Sequence, residues 1–267
     1  MNWMWRGRPR KLGLPDPRQL VKGVLRGGLT ERSPIDAKVI DHPMVGEGIL
    51  DCSASVSRSA VILCLDTSGS TMGRPNRAIN AAIPAIGEAL CRDPITADGT
   101  DIAIVSFGGD VRVVCDFTPA VRFRHSSPLH AEDDTPLAEG VVLAIEGTLA
   151  RAACYAAMGV ETRKAMIFLL TDGLPTDSPE RLQRMAELVR EVDVPGDRGI
   201  AVFPIGVEGA DMEFLASAFV RRPRRLRGLA FENLGAWVAE SSYRIHASQP
   251  GRSVPLPRPE DFGWTEL

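Results

Sequence analysis

Two uninterrupted apolar runs, Val61-Ile62-Leu63-Cys64-Leu65 and Ala165-Met166-Ile167-Phe168-Leu169-Leu170, stand out from a chain of otherwise mixed polarity. Each is too short for a buried helix and ends in small polar residues. Both therefore read as strands buried on two faces of a parallel sheet. Gly199-Ile200-Ala201-Val202-Phe203-Pro204-Ile205 has the same character and ends at Gly206. Asp101 to Phe107 begins with apolar–polar alternation, Gly108-Gly109-Asp110 is a hairpin signal, and Val111 to Phe117 is the returning strand. Between these runs the period changes. Ile79, Ala82, Ile83, Ile86 and Leu90 lie at helical spacing between Pro75 and Arg92. Leu137 to Met158 is a long helical stretch with Pro136 at the first helical position. Asp177-Ser178-Pro179-Glu180 reads as the cap of a helix running to Val192. A short helix over 211–219, a last strand at Leu229-Ala230-Phe231 and a last helix from Leu234 to Ile245 complete the pattern. Strands alternating with helices predict an α/β fold: a doubly wound, mostly parallel, Rossmann-like sheet with helices on both faces and one antiparallel edge strand.

The ends differ from this core. Residues 1–54 are rich in Arg, Gly and Pro with weak periodicity and read as a basic arm, with one short amphipathic turn over Gln19–Leu25. Residues 55–246 form the predicted domain. Residues 247–267 are a Pro-rich tail expected to be extended.

The polar residues that end the two apolar runs carry the chemistry. Asp66-Thr67-Ser68-Gly69-Ser70 follows the first run, and Thr171-Asp172-Gly173 follows the second. Ligands in open α/β sheets bind at that C-terminal edge. Carboxylates and hydroxyls are hard oxygen donors, suited to Mg²⁺, Mn²⁺ or Ca²⁺. Residues 66, 68 and 70 converge only if the chain turns, and Gly69 offers the freedom to do so. The competing reading is a Ser/Gly-rich turn that caps the next helix. Asp133-Asp134-Thr135-Pro136 opens a helix between the two runs, with both acids expected at the surface.

With these segments in order, the chain resembles the von Willebrand factor A family, whose metal-ion-dependent adhesion site (MIDAS) is D-x-S-x-S, then a Thr, then an Asp after a strand. The matching positions are Asp66, Ser68, Ser70, Thr135 and Asp172. The resemblance implies a VWA fold and a divalent cation, Mg²⁺ foremost. The two Ser and the Thr would contact the ion, and the two Asp would act mostly through waters. One coordination position would be left for an Asp or Glu of a partner protein. Within the family, Leu65–Ser70, Ser106-Phe107-Gly108, Phe168–Asp177 and Trp237-Val238 are similar to the Y-type VWA protein of bacterial tellurium-resistance operons. That group implies kinase-like and phosphatase-like operon neighbours as partners, and a scaffold role in stress response or phage defence. The chain departs from it at Thr71 and at the Asp-Asp before Thr135.

Composition narrows the rest. A net charge of −3 over 267 residues gives no global case for nucleic-acid binding. Five cysteines (52, 64, 91, 115 and 154) lack metal spacing, and Cys64 and Cys115 fall in strand patterns as expected core thiols. No stretch approaches 18 apolar residues and no signal-peptide pattern is present, so a cytoplasmic, non-membrane protein is expected, in a bacterium. Two other functions compete. A haloacid-dehalogenase-like phosphatase needs Asp-x-Asp, and Ser68 stands where its acid would be. A nucleic-acid role would use Arg221-Arg222-Pro223-Arg224-Arg225-Leu226-Arg227 with Arg6, Arg8, Arg10 and Lys11. An acidic protein partner explains that run equally well. No G-x-x-x-x-G-K-S/T, H-E-x-x-H or Cys-x-x-Cys motif occurs, so no enzymatic activity is expected. His42, His125, His130 and His246 read as surface or capping residues.

Overall fold

The computed structural model describes residues 42–45, 56–125, 127–197, 199–207, 209–225, 231–248 and 254–262. Its strands are β1 (Ser59–Asp66), β2 (Thr100–Gly108), β3 (Asp110–Pro119), β4 (Ala165–Thr171), β5 (Ile200–Gly206) and β6 (Arg224–Arg225). Its α-helices are α1 (Arg74–Leu90), α2 (Pro94–Gly99), α3 (Leu137–Ala157), α4 (Pro179–Val192), α5 (Met212–Ala218) and α6 (Phe231–Ala247). The sheet order is β3-β2-β1-β4-β5-β6. All neighbours are parallel except β2 and β3, which form the expected antiparallel edge hairpin.

Period-2 alternation assigns each central strand to two cores. Ile62 and Cys64 of β1, with Ile167 and Leu169 of β4, face α3, α4 and α5. Val61, Leu63 and Leu65, with Met166, Phe168 and Leu170, face α1 and α6. Both strands are wholly buried, which is why they read as unbroken apolar runs. α6 presses so closely on α1 that a Cβ at Gly235 would meet the Ala85 carbonyl oxygen at 2.8 Å.

Several expectations need correction. Phe231, expected to end a last strand, begins α6, and the sixth described strand, β6, is Arg224–Arg225 within the arginine run. Residues 229 and 230 lie outside the described residues, as does Gln19–Leu25. Pro136 caps α3 rather than starting it. Cys115 is half-buried: it packs against the α1/α6 core from β3, the edge strand of the sheet. α2 is unanticipated, and Asp93 caps it by accepting from Thr96 N (2.7 Å). Among the described residues α3 is the one helix long and apolar enough to cross a membrane, which the sequence reading did not expect. It is mostly buried, and its Leu137, Val141, Ala144 and Ile145 pack on the sheet.

Both flanks of the domain contribute to it. Met44, in the segment expected to be an arm, is fully buried against α3, and its carbonyl accepts from Phe117 N (3.2 Å). In the tail, Pro257 O accepts from the buried Trp237 Nε1 (2.9 Å), while Leu256 and Phe262 pack on the α1/α6 core. His42 and His246 are buried rather than superficial. Burial, reinforced at His246 by Arg163 and Arg58, pushes each imidazole down to about 4.

At the N-terminal end of the sheet lies an ionic cluster that no sequence pattern announced. Asp101 is wholly buried, and its Oδ1 accepts from Arg58 Nη1 (2.8 Å) while its Oδ2 accepts from Arg151 Nη2 (2.7 Å) and from the Tyr155 hydroxyl. Arg151 also donates from Nη1 to Val45 O (2.6 Å) and lies over the Phe117 and Tyr155 rings.

Candidate metal centre

The sheet changes direction of growth between β1 and β4. From β1 the chain crosses to β2 on one side, and later enters β4 on the other. Open α/β sheets form their binding crevice at such a switch point. Register puts Leu65 beside Leu170, so Asp66 and Thr171 end the two strands side by side. Their side chains bond: Thr171 Oγ1 donates to Asp66 Oδ2 (2.6 Å).

Asp66 is wholly buried, and its other oxygen, Oδ1, accepts from Ser68 N (2.9 Å) and Ser68 Oγ (2.5 Å). Ser68 Oγ lies 3.0 Å from Ser70 Oγ. The three residues thus meet on one side of a 3-10 turn, Gly69–Thr71. Gly69 has no positive φ, so the turn does not draw on glycine's special freedom there. That freedom is used at Gly173 (φ 69°), where the chain turns sharply after Asp172 and where a Cβ would meet Asp211 O at 3.0 Å. Asp172 Oδ1 accepts from Leu174 N (3.1 Å), and Asp172 O accepts from Asp211 N (2.7 Å).

Thr135 is delivered by a loop tied to both strand ends. Glu132 N donates to Thr67 O (2.7 Å) and Gly69 N donates to Asp133 O (3.3 Å), which fixes the loop to the β1 side. Thr135 and Thr176 bond reciprocally: Thr135 N donates to Thr176 Oγ1 (3.1 Å), and Thr176 N donates to Thr135 O (3.0 Å). Asp177 Oδ2 accepts from Ala138 N (3.0 Å), so it caps α3 rather than α4. Gly109 N donates to Asp134 O (2.9 Å), and Arg112 holds Glu132 through two 2.9 Å bonds, which adds the β2–β3 hairpin to the assembly. Asp133 and Asp134 themselves are exposed, as expected.

The structure therefore gathers all five residues singled out in the sequence at one edge, with Asp66, Ser68, Thr135 and Asp172 buried and Ser70 exposed. It adds Thr171, whose hydroxyl is a third donor to Asp66 and whose role follows from strand register rather than from any local pattern. Electrostatically the site lacks positive charge. Burial pushes the Asp66 carboxyl above its usual range, the bonds from Ser68 and Thr171 oppose this, and the charge of Asp172 raises it further. The donors to Asp66 are hydroxyls and an amide, with no basic side chain among them. Among the described residues no three of His, Cys, Asp and Glu cluster as metal ligands, so any cation here would depend on hydroxyls.

The sequence model of the von Willebrand factor type A domain matches residues 60–231, well over half of the chain. This protein belongs to the von Willebrand factor type A domain family. The mixed six-stranded sheet with its surrounding helices is the α/β fold of that family. No curated protein matches the chain. Among solved structures, the pilus adhesin SpaC from Lactobacillus rhamnosus GG in its open conformation is 14% identical with a TM-score of 0.51, over 71% of this chain and 30% of that one. The ArnB paralog VWA2 from Sulfolobus acidocaldarius is 18% identical with a TM-score of 0.48, over 70% of this chain and 45% of that one. The Plasmodium vivax TRAP protein, solved manganese-loaded, is 17% identical with a TM-score of 0.47, over 70% of this chain and 73% of that one. This VWA chain spans less than half the length of the SpaC and VWA2 chains.

The described part of the arginine run lies along the outer side of β5. Arg221 pairs with Asp193 through 2.8 and 2.9 Å bonds and lies 4.8 Å over the Phe203 ring. Arg224 and Arg225 pair with Ile205 and Gly206, which places them at the C-terminal end of β5.

Proposed function

We propose that this VWA domain is a metal-dependent protein-binding module. Ser68, Ser70 and Thr135 contact a divalent cation, Mg²⁺ in the first instance with Mn²⁺ and Ca²⁺ as alternatives. Asp66 and Asp172 hold it through bound waters. A partner's Asp or Glu completes the coordination shell, and Arg224–Arg225, at the same edge of the sheet, steer that acidic partner. The observation that carries this reading is a buried carboxylate, Asp66, opposed by a second carboxylate, bonded only by neutral donors and ringed by hydroxyls at the sheet's switch point. Paired acids of this kind are relieved by a hard cation. The largely neutral contacting set leaves that cation able to attract a further carboxylate.

No catalytic role is assigned. Ser68 occupies the place of a phosphatase's general acid and is itself spent as a donor to Asp66. A nucleic-acid role for the arginine run is weakened by Arg221, which is committed to Asp193 and Phe203. The motif segments named above support a role like that of the Y-type protein of tellurium-resistance operons. Kinase-like or phosphatase-like neighbours are then the partners, in a cytoplasmic bacterial stress or phage-defence system.

Calorimetry tests the centre. Wild-type protein binds Mg²⁺ or Mn²⁺, and Asp66→Asn and Thr135→Ala each weaken binding by roughly tenfold or more. Unchanged affinity in Asp66→Asn overturns the assignment. Capture of a partner equally well in EDTA and by Thr135→Ala would place the interaction surface elsewhere.

A further inference from the structure

We infer that Asn80, in the middle of α1, is a positioning residue for the metal centre: it fixes the loop that delivers Thr135 against the helix that follows Ser68 and Ser70. This rests on the metal-binding reading above and names a residue outside the ligand loops on which that site depends.

Between Arg122 and Leu137 the described residues form no helix and no strand of the sheet. A connection of this kind takes its position from whatever holds it. Near Thr135 the holds are mostly backbone bonds to residues beside the ligands, namely Thr67 O, Gly69 N and Thr176 N. Further back the hold is a side chain. Asn80 Oδ1 accepts from Leu129 N (2.7 Å), and Asn80 Nδ2 donates to Leu129 O (2.9 Å). The carboxamide thus meets Leu129 as a neighbouring strand would, with one bond in each direction. Leu129 N only donates and Leu129 O only accepts, so the orientation of the amide is set. Its nitrogen also donates to Asn76 O (2.9 Å) and lies 3.1 Å from Asn76 Oδ1, which ties the side chain to its own helix. The Leu129 side chain packs on the α1/α6 core, so this residue is held by backbone and side chain together.

The other end of the link leads to the remaining hydroxyls. α1 starts at Arg74, directly after the turn that carries Ser68 and Ser70. Thr71 closes that turn, with its N and Oγ1 both donating to Ser68 O (3.0 and 2.7 Å). Asn80 therefore joins the Ser68–Ser70 turn, through α1, to the Thr135 loop, through Leu129. A hydroxyl carries no charge to draw it toward a cation. It contributes only when the scaffold holds it within about 0.5 Å of the right place. A site built on hydroxyls from two loops depends on whatever fixes one loop to the other.

The test uses full-length protein titrated with Mg²⁺ by calorimetry, with amide hydrogen exchange measured alongside. Asn80→Ala is expected to weaken Mg²⁺ binding about tenfold. Added to Thr135→Ala, the same substitution is expected to cost no more than about twofold further, because the loop it positions no longer carries a ligand. Asn80→Asp keeps the acceptor for Leu129 N but sets an oxygen against Leu129 O, and is expected to weaken binding as Asn80→Ala does. In both variants the Leu129 amide exchanges faster, while the amides of β1 and β4 keep their protection. Wild-type affinity in Asn80→Ala, an equal loss in the Thr135→Ala background, or protection lost throughout β1 and β4 in both Asn80 variants overturns the inference and leaves the metal centre standing. Absence of Mg²⁺ binding by the wild type overturns the metal reading and this inference with it.

Discussion

Asp66 and Asp101 sit on adjacent strands at opposite ends of the sheet, and both are wholly buried. Their surroundings differ in sign. Asp101 has two guanidinium groups and a phenol, with charge matching charge. Asp66 has hydroxyls and an amide, and faces a second carboxylate. A buried acid serving stability is given its cation by the fold itself. One bonded only by neutral donors is a candidate binding position.

The contrast is most easily broken at the paired end. Arg151→Ala leaves Asp101 buried with one cation fewer and removes the donor to Val45 O. It should cost about 3–5 kcal/mol in urea denaturation. A cost under about 1 kcal/mol would mean that the cluster is not the anchor described.

At the Asp66 end the proposed metal site sets the expectation. Mg²⁺ at one hundred times the wild-type Kd should stabilise the wild type by about 2.7 kcal/mol and Asp66→Asn by no more than about 1.4 kcal/mol. The pH dependence follows from the raised Asp66 carboxyl. Because folding raises its proton affinity, the ionised form opposes folding at neutral pH, and that opposition fades as pH falls through the raised value. Protons and the cation compete for this carboxylate. The Mg²⁺-dependent gain should therefore shrink as pH is lowered, which thermal melts with and without EDTA would show. A gain that grows on acidification would contradict the arrangement.

The smallest effect is expected at the rim. Arg112 and Glu132 form a bidentate but solvent-exposed pair, so Arg112→Ala should cost no more than about 1 kcal/mol, and less in high salt. A larger loss would mean that the hairpin holds the Thr135 loop more firmly than an exposed pair allows.

Much of the centre was legible because buried parallel strands leave a plain signature. β1 is apolar from Ala60 to Leu65 and β4 from Ala165 to Leu170, and the polar residue that ends each, Asp66 or Thr171, leads into a loop of the candidate centre. The Asp101 cluster left no such trace. Its members lie 43, 50 and 54 residues from Asp101, and nothing local distinguishes Arg58 or Arg151 from a surface arginine. Thr171 was hidden for a related reason, since its partner is set by the pairing of β1 with β4. β6 was not expected because two arginines on a sheet edge carry no strand periodicity. Asp177 was read as the cap of the nearer helix, whereas its carboxylate reaches back across 39 residues to α3.

The packing of Met44 and of the Pro257 segment separates the unit of homology from the unit of folding. The family match ends at residue 231, yet α6 and residues 256–262 cover one face of the sheet, while residues 42–45 help close the other. A fragment cut to the family boundaries would bare Phe168 and Phe203, against which Trp237 packs, and empty the space that Met44 fills beside Gly147. Any transplant of this domain onto another scaffold has to carry both clasps with it.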